Sequence, residues 1–202
     1  MIASALALLL MQVGPNPSID AFPGLPDELR DRPERPQARD RADPASSAQG
    51  KLADCVNLAR GDAEAARDYA QMWREAAATQ LELAQSAHCL GIAFAREGEF
   101  AEAQRAFDLA IDEVPLGAPA YQSRLAAMSG NAAMAQGQPA IADIAFGRAV
   151  TLATQADDAP LLASVLIDRA RALVALERND EAVATLEKAR GNDPANAHAW
   201  LL

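Results

Sequence analysis

The chain has 202 residues, half of them apolar, and a formal net charge of −10 at pH 7. Such a negative chain is a poor binder of nucleic-acid phosphates, which require clustered Lys and Arg. Aromatic residues make up only 4% of the chain while alanine is abundant. The composition therefore favours an all-α fold whose core forms by close approach of helices.

An apolar run opens the chain at residues 1–13. It is too short to span a bilayer and has the length of the apolar region of a signal peptide. Because no Lys or Arg precedes it, a disordered apolar tail or a mis-set start codon is the alternative. We expect export and therefore a periplasmic or secreted protein, with the cytoplasm as the alternative location.

Residues 14–50 form a proline-rich segment without a lasting hydrophobic period. Part of it, DELRDRPERPQARDRAD, alternates Arg with Asp and Glu and has almost nothing apolar to bury. This composition predicts a disordered linker, with a recognition motif as the alternative.

From Lys51 onward the hydrophobic pattern is helical. Residues 51–83 predict an irregular helical pair, with Tyr69, Met72 and Trp73 on its apolar side. Gly and Pro residues mark the ends of the helices. The predicted helices cover residues 51–60, 62–79, 81–97, 99–113, 119–136, 139–155, 160–177, 179–190 and 195 onward.

Three later segments share one pattern in register: GEFAEAQRAFDLA, GQPAIADIAFGRA and ERNDEAVATLEKA. In each, an alanine is followed four residues later by a bulky side chain and three residues after that by another alanine. The aligned positions are Ala103, Ala142 and Ala182, then Phe107, Phe146 and Leu186, then Ala110, Ala149 and Ala189.

This pattern resembles the tetratricopeptide repeat (TPR), a unit of about 34 residues that folds as helix A, a turn and helix B. The matching units cover residues 84–117, 123–156 and 163–196, and residues 197–202 begin a further one. Spacings of 39 and 40 residues indicate insertions between the units. The resemblance implies an α-solenoid of antiparallel helix pairs over residues 84–202, comprising three TPR units and a truncated fourth, preceded by the irregular pair.

Small residues on helix A have a packing explanation. We expect Gly91 to face Ala103 and Gly130 to face Ala142, because only small side chains permit two helices to cross closely.

The sequence shows no catalytic machinery. His88 and His198 lie in different units and are poor joint ligands for a metal, and no phosphate-binding loop or hydrolase motif is present. We therefore expect no enzyme activity, no cofactor, no metal site and no small-molecule substrate.

Cys55 and Cys89 are the only cysteines. In an exported chain they are candidates for a disulfide, and two free thiols in the core are the alternative. Equivalent positions in adjacent units would leave the Cα atoms about 10 Å apart, too far for a bridge unless the pair is displaced.

In the resembled family, helix A side chains line a concave face that binds a peptide. Arginine beside Met and Ile there suits a peptide with an acidic or C-terminal carboxylate. The chain lacks the Lys and Asn pairs of the family's carboxylate clamp, and a solvated groove without specificity is the alternative. We call these positions the candidate peptide face: His88, Ile92, Arg96, Arg124, Met128, Asn131, Asp168 and Arg171.

The sequence stops at Trp200, Leu201 and Leu202, part-way through a predicted helix A. We expect a fragment of a longer array, with a partner subunit covering this end as the alternative. The functional prediction is a non-enzymatic scaffold that binds a protein or peptide. Its alternatives are the helical regulatory part of an enzyme whose catalytic portion lies elsewhere, and homo-oligomerisation through these three residues.

Overall fold

A computed structural model describes residues 44–195, and all regular secondary structure in this part is helical. The predicted all-α class is confirmed for these residues. The eight helices are α1 (Pro44–Gly61), α2 (Ala63–Glu75), α3 (Gln80–Glu97), α4 (Phe100–Glu113), α5 (Pro119–Ala135), α6 (Pro139–Gln155), α7 (Ala159–Ala175) and α8 (Asn179–Asn192).

The main difference from the predicted helices lies at the beginning. Helix α1 begins at Pro44, seven residues before the predicted start at Lys51, so the predicted linker overlaps the first two turns. Proline interrupts a helix interior, but it is compatible with the first turn of a helix, where its missing N–H has no intrahelical partner. The predictions for residues 1–13, for most of the linker and for residues 196–202, including Trp200, Leu201 and Leu202, lie outside the described residues.

Side-chain caps and prolines set several helix starts. Asp62 accepts a hydrogen bond from the Ala65 N–H, and Asp158 accepts one from the Leu161 N–H at 3.0 Å. Such caps satisfy backbone donors that the helix itself leaves free. Prolines lie in the first turn of three helices: Pro119 in α5, Pro139 in α6 and Pro160 in α7, the helix that Asp158 also caps.

Consecutive helices pack on one another in chain order, as four helix pairs: α1/α2, α3/α4, α5/α6 and α7/α8. First helices of neighbouring pairs also pack together at α1 and α3 and at α5 and α7. Among the described helices, α3 and α5 approach each other less closely than these two. The last three pairs cover residues 80–113, 119–155 and 159–192, so each overlaps one of the three predicted repeat units.

The turns inside these three pairs repeat the same backbone geometry. Gly98, Gly137 and Glu177 all have positive φ, at 83°, 72° and 60°. After each, an N–H bonds to a carbonyl five residues earlier, a common helix-ending motif. These bonds join Glu99 to Phe94, Gln138 to Ala133 and Arg178 to Leu173. The structural repeat therefore has the register that the aligned alanines predict.

At the close approach inside the first two of these pairs, an aromatic ring lies directly against the glycine. A Cβ added at Gly91 would lie 2.9 Å from Cζ of Phe107 and closer still to two other ring atoms. A Cβ at Gly130 would lie 2.7 Å from Cε1 of Phe146. Each glycine thus faces an aromatic ring, and even one methyl group would overlap the ring.

In the third pair, the two helices meet through side chains of different sizes from those in the first two pairs. Ala170 occupies the position of the glycines and packs in a cluster with Ala182 and Leu186. Leucine is smaller than phenylalanine, so the added methyl group of Ala170 has room. At this position in all three pairs, the larger the side chain on the second helix, the smaller the residue that faces it on the first helix.

The first helix pair is attached to α3 by a disulfide between Cys55 and Cys89, whose Cα atoms are 6.0 Å apart. Both cysteines are fully buried beside Trp73. Lys51 donates a hydrogen bond to Glu82 at 2.6 Å and lies 5.7 Å from the centre of the Trp73 ring. Closing a loop of 34 residues stabilises the fold by about 4 kcal/mol in the chain-entropy model.

An ion-pair network joins the second and third repeat units. Asp143 on α6 accepts from Arg169 on α7 at 2.7 Å and from Arg178, before α8, at 2.8 Å. Burial alone would raise the pKa of Asp143, but the two guanidinium groups hold it below its ordinary value. Arg178 also forms a two-pronged pair with Glu181. The network thus fixes α7 and the turn into α8 against α6.

Gly130→Ala tests the glycine contact. Although alanine favours helix by about 1 kcal/mol, we expect a net loss of about 1 to 3 kcal/mol in the free energy of unfolding, because the methyl group overlaps Phe146. Gly147→Ala, on the neighbouring α6 with no atom near the added Cβ, should gain about 1 kcal/mol. Urea denaturation measures both.

Combining Gly130→Ala with Phe146→Leu reproduces the pairing of Ala170 with Leu186. The double variant should be more stable than the sum of the two single losses predicts. Strictly additive losses would show that the glycine and the ring are not coupled.

Candidate functional site

A cavity of about 380 Å³ lies between α3, α4 and α5. Its volume falls in the range of roughly 300 to 1,000 Å³ typical of binding pockets. Most of its wall is apolar, and the two strongly polar residues are Arg96 and Asn131. The lining residues are Ile92, Ala95, Arg96, Phe100, Phe107, Met128, Asn131 and Ala132.

Four members of the candidate peptide face line this cavity, two from α3 and two from α5: Ile92, Arg96, Met128 and Asn131. Two more lie on α7, where Arg171 donates to Asp168 at 2.9 Å. Burial raises the pKa of Asp168, while Arg171 and the Asn131 side chain act in the opposite direction. The side chain of Asn131 thus lies within hydrogen-bonding reach of Asp168, so the candidate positions of α5 and α7 meet there.

The three arginines of the candidate peptide face differ in their ion pairs. Arg124 lies 3.5 Å from Asp158, and Arg171 is paired with Asp168. Arg96 is exposed and forms no ion pair within the part of the chain that the structure describes. Its positive charge is therefore available to a ligand in a protein whose net charge is negative.

His88 lies in the interior rather than on an accessible surface. Only 8% of the residue is exposed, and its Nδ1 is 3.1 Å from the Tyr121 hydroxyl. Its ring also stands edge-on to Phe107. His88 thus joins α3 to α5 by packing and a hydrogen bond, and we leave it out of the binding surface.

The burial of His88 has an electrostatic consequence. Desolvation lowers the pKa of its imidazole to about 4, because a charged ring loses its hydration in the interior. Burial raises the pKa of the Tyr121 hydroxyl in the same way. Both side chains are therefore neutral at pH 7, and their contact is a hydrogen bond between uncharged groups.

The cavity also includes residues that sequence reasoning had assigned to packing or had not singled out. Ala95, Phe100, Phe107 and Ala132 form much of its wall. Such residues match an ordinary apolar core, so nothing in their identity marks a cavity. The 39-residue spacing of the first two units gives no signal either, because the next two units are spaced by 40 residues and their A helices, α5 and α7, pack together.

Within residues 44–195 there is no group of three His, Cys, Asp or Glu side chains arranged to hold a metal ion. None of the helices in this range combines the length and the apolar character needed to cross a lipid bilayer. Comparisons with models of known protein families and with curated proteins find no match to this chain.

The buried imidazole makes stability depend on pH. Between the ordinary pKa of 6.5 and the folded value of about 4, the unfolded chain binds a proton that the folded chain does not. The neutral His88 imidazole therefore allows the fold its full stability above pH 6.5. As the pH falls below 6.5, the free energy of unfolding decreases. Lowering the pH from about 7 to 5 should therefore cost about 2 kcal/mol through this group.

His88→Gln, which keeps a polar side chain but cannot titrate, should remove this component. Urea unfolding of both proteins at the two pH values measures the difference. An identical pH dependence in the variant and the natural chain would contradict the buried, neutral imidazole.

Proposed function

We propose that this chain is a non-enzymatic helical-repeat scaffold of the tetratricopeptide type, which binds an extended peptide of a protein partner across α3, α5 and α7. Support for the repeat type comes from the recurring turn geometry at Gly98, Gly137 and Glu177, which follows the register of the sequence repeat.

The observation that carries the proposal is the apolar recess between α3, α4 and α5, which has Arg96 and Asn131 at its edge. Asn131 in turn contacts Asp168, which pairs with Arg171 on α7. Exposed polar groups around an apolar recess are typical of peptide-binding sites, where the recess gives affinity and the polar groups give orientation. Arg96 has no ion-pair partner within residues 44–195, which favours an anionic partner segment.

Photo-crosslinking in the producing cells tests this surface. A benzoylphenylalanine placed at Asn131 should form a defined adduct with a partner, whereas the same group at Ile144 on α6, which is 75% exposed, should not. The triple variant Arg96→Glu, Arg124→Glu, Arg171→Glu should reduce the adduct at Asn131 by about tenfold, because it reverses the charge of the surface.

A matched control has the same change in net charge at other exposed arginines: Arg60→Glu, Arg105→Glu, Arg148→Glu. It should leave the adduct unchanged. Equal adducts at Asn131 and Ile144, or an adduct that survives the first triple variant, would contradict the proposed surface.

We also propose that the chain is exported. The apolar run at residues 1–13 motivates this, and the disulfide between Cys55 and Cys89 supports it, since such bonds persist mainly in oxidising compartments.

Thiol labelling of the chain from its own cells tests export together with the bridge. Denatured chain should take up no maleimide before reduction and two maleimides after it, as read by mass. A Cys89→Ser variant should take up one maleimide in both conditions. Two maleimides on the natural chain without reduction would contradict an oxidising location.

A further inference from the structure

We infer that the cavity between α3, α4 and α5 is an anchor pocket for one large apolar side chain of the partner peptide, and that Arg96 pairs with an Asp or Glu next to that side chain. The inference rests on the proposed function and specifies the sequence class of the peptide. It places the main determinant of specificity between the first and second repeat units.

The cavity has an apolar interior and a polar edge. Phe107 and Ala132 are buried, and Ile92 and Met128 are half-buried. Arg96 and Asn131, by contrast, are exposed. A ligand that fills this space must therefore combine an apolar group for the interior with a polar or charged group at the edge.

Charge complementarity selects an acid for the edge. The carboxylate of Asp168 is already paired with Arg171, and Arg124 is occupied by Asp158. Arg96 has no such partner within residues 44–195, so a carboxylate from the peptide adds an ion pair without breaking one. Asn131 beside it offers an amide that can donate to the same carboxylate or to the peptide backbone.

The contacts between the first helices of neighbouring pairs explain why the cavity lies between α3 and α5. The disulfide holds α1 on α3, and the network around Asp143 holds α7 on α6. Between α3 and α5, the hydrogen bond of His88 with Tyr121 is a contact of long side chains instead. Gln136 at the end of α5 donates to Gln104 and to the Phe100 carbonyl on α4, fixing α5 beside the cavity.

A phage-displayed library of random twelve-residue peptides, selected on the immobilised full chain, supplies the ligand. We expect the enriched peptides to share a Leu, Phe, Met or Ile next to Asp or Glu. Replacing that apolar residue by Ser should weaken binding by about ten- to a hundredfold. Replacing the acid by its amide should weaken it by about fivefold on the natural chain.

The double comparison of peptide and protein variants isolates the ion pair. On Arg96→Gln, the acidic peptide and its amide should bind equally. Ala95→Leu, which narrows the cavity, should reduce binding of the apolar anchor, and circular dichroism checks that the variant is folded. Because the peptide variants need no change in the protein, a misfolded variant does not prevent the test.

Two results would overturn the inference. In the first, the peptides bind Arg171→Glu more weakly than the natural chain, but their affinity for Arg96→Gln and Ala95→Leu is unchanged. The proposed surface then stands, and the pocket does not anchor the peptide. If no peptide is enriched, or if the peptides bind the triple glutamate variant unchanged, both the pocket and the proposed function fail.

Discussion

The whole arrangement depends on matched side-chain volumes where the two helices of a repeat unit meet. Gly91 and Gly130 leave room for the rings of Phe107 and Phe146, and Ala170 is paired with the smaller Leu186. Because packed interiors tolerate neither an extra methyl group nor an empty space of that size, these pairs set the separation of the two helices.

The candidate site forms because the first helices of neighbouring pairs do not all contact one another in the same way. A chain of identical repeats would place every A helix at one distance from the next. Here a covalent bond draws α1 to α3 and ion pairs tie α7 to the preceding unit, while α3 and α5 meet through His88 and Tyr121. The cavity lies at the interval with the weakest contact between A helices. The unequal contacts between A helices, rather than the repeat itself, thus make the surface at α3 and α5 different from the surface at α7.

Much of the local structure could be predicted from the sequence, because turns depend on nearby residues. Glycine at positions 98 and 137 indicates a helix end whatever the tertiary context, and the aligned alanines gave the register. The sequence could not show that Phe107 faces Gly91, since this depends on the rotation of each helix about its axis. Nor could it show that Arg124 is neutralised by Asp158, 34 residues away. Pro44 was misassigned because a proline that begins a helix and one that interrupts it look alike.

The cross-link between α1 and α3 also determines how the molecule would carry tension. It encloses α2 within a covalent loop of 34 residues. A pull on the amino-terminal side of Cys55 would pass through sulfur to Cys89 in the middle of α3, bypassing the intervening hairpin. The loop could then contribute no extension, and the first repeat would bear the load directly. Reduced cysteines would lengthen the path and let α2 unravel before the repeats feel any force.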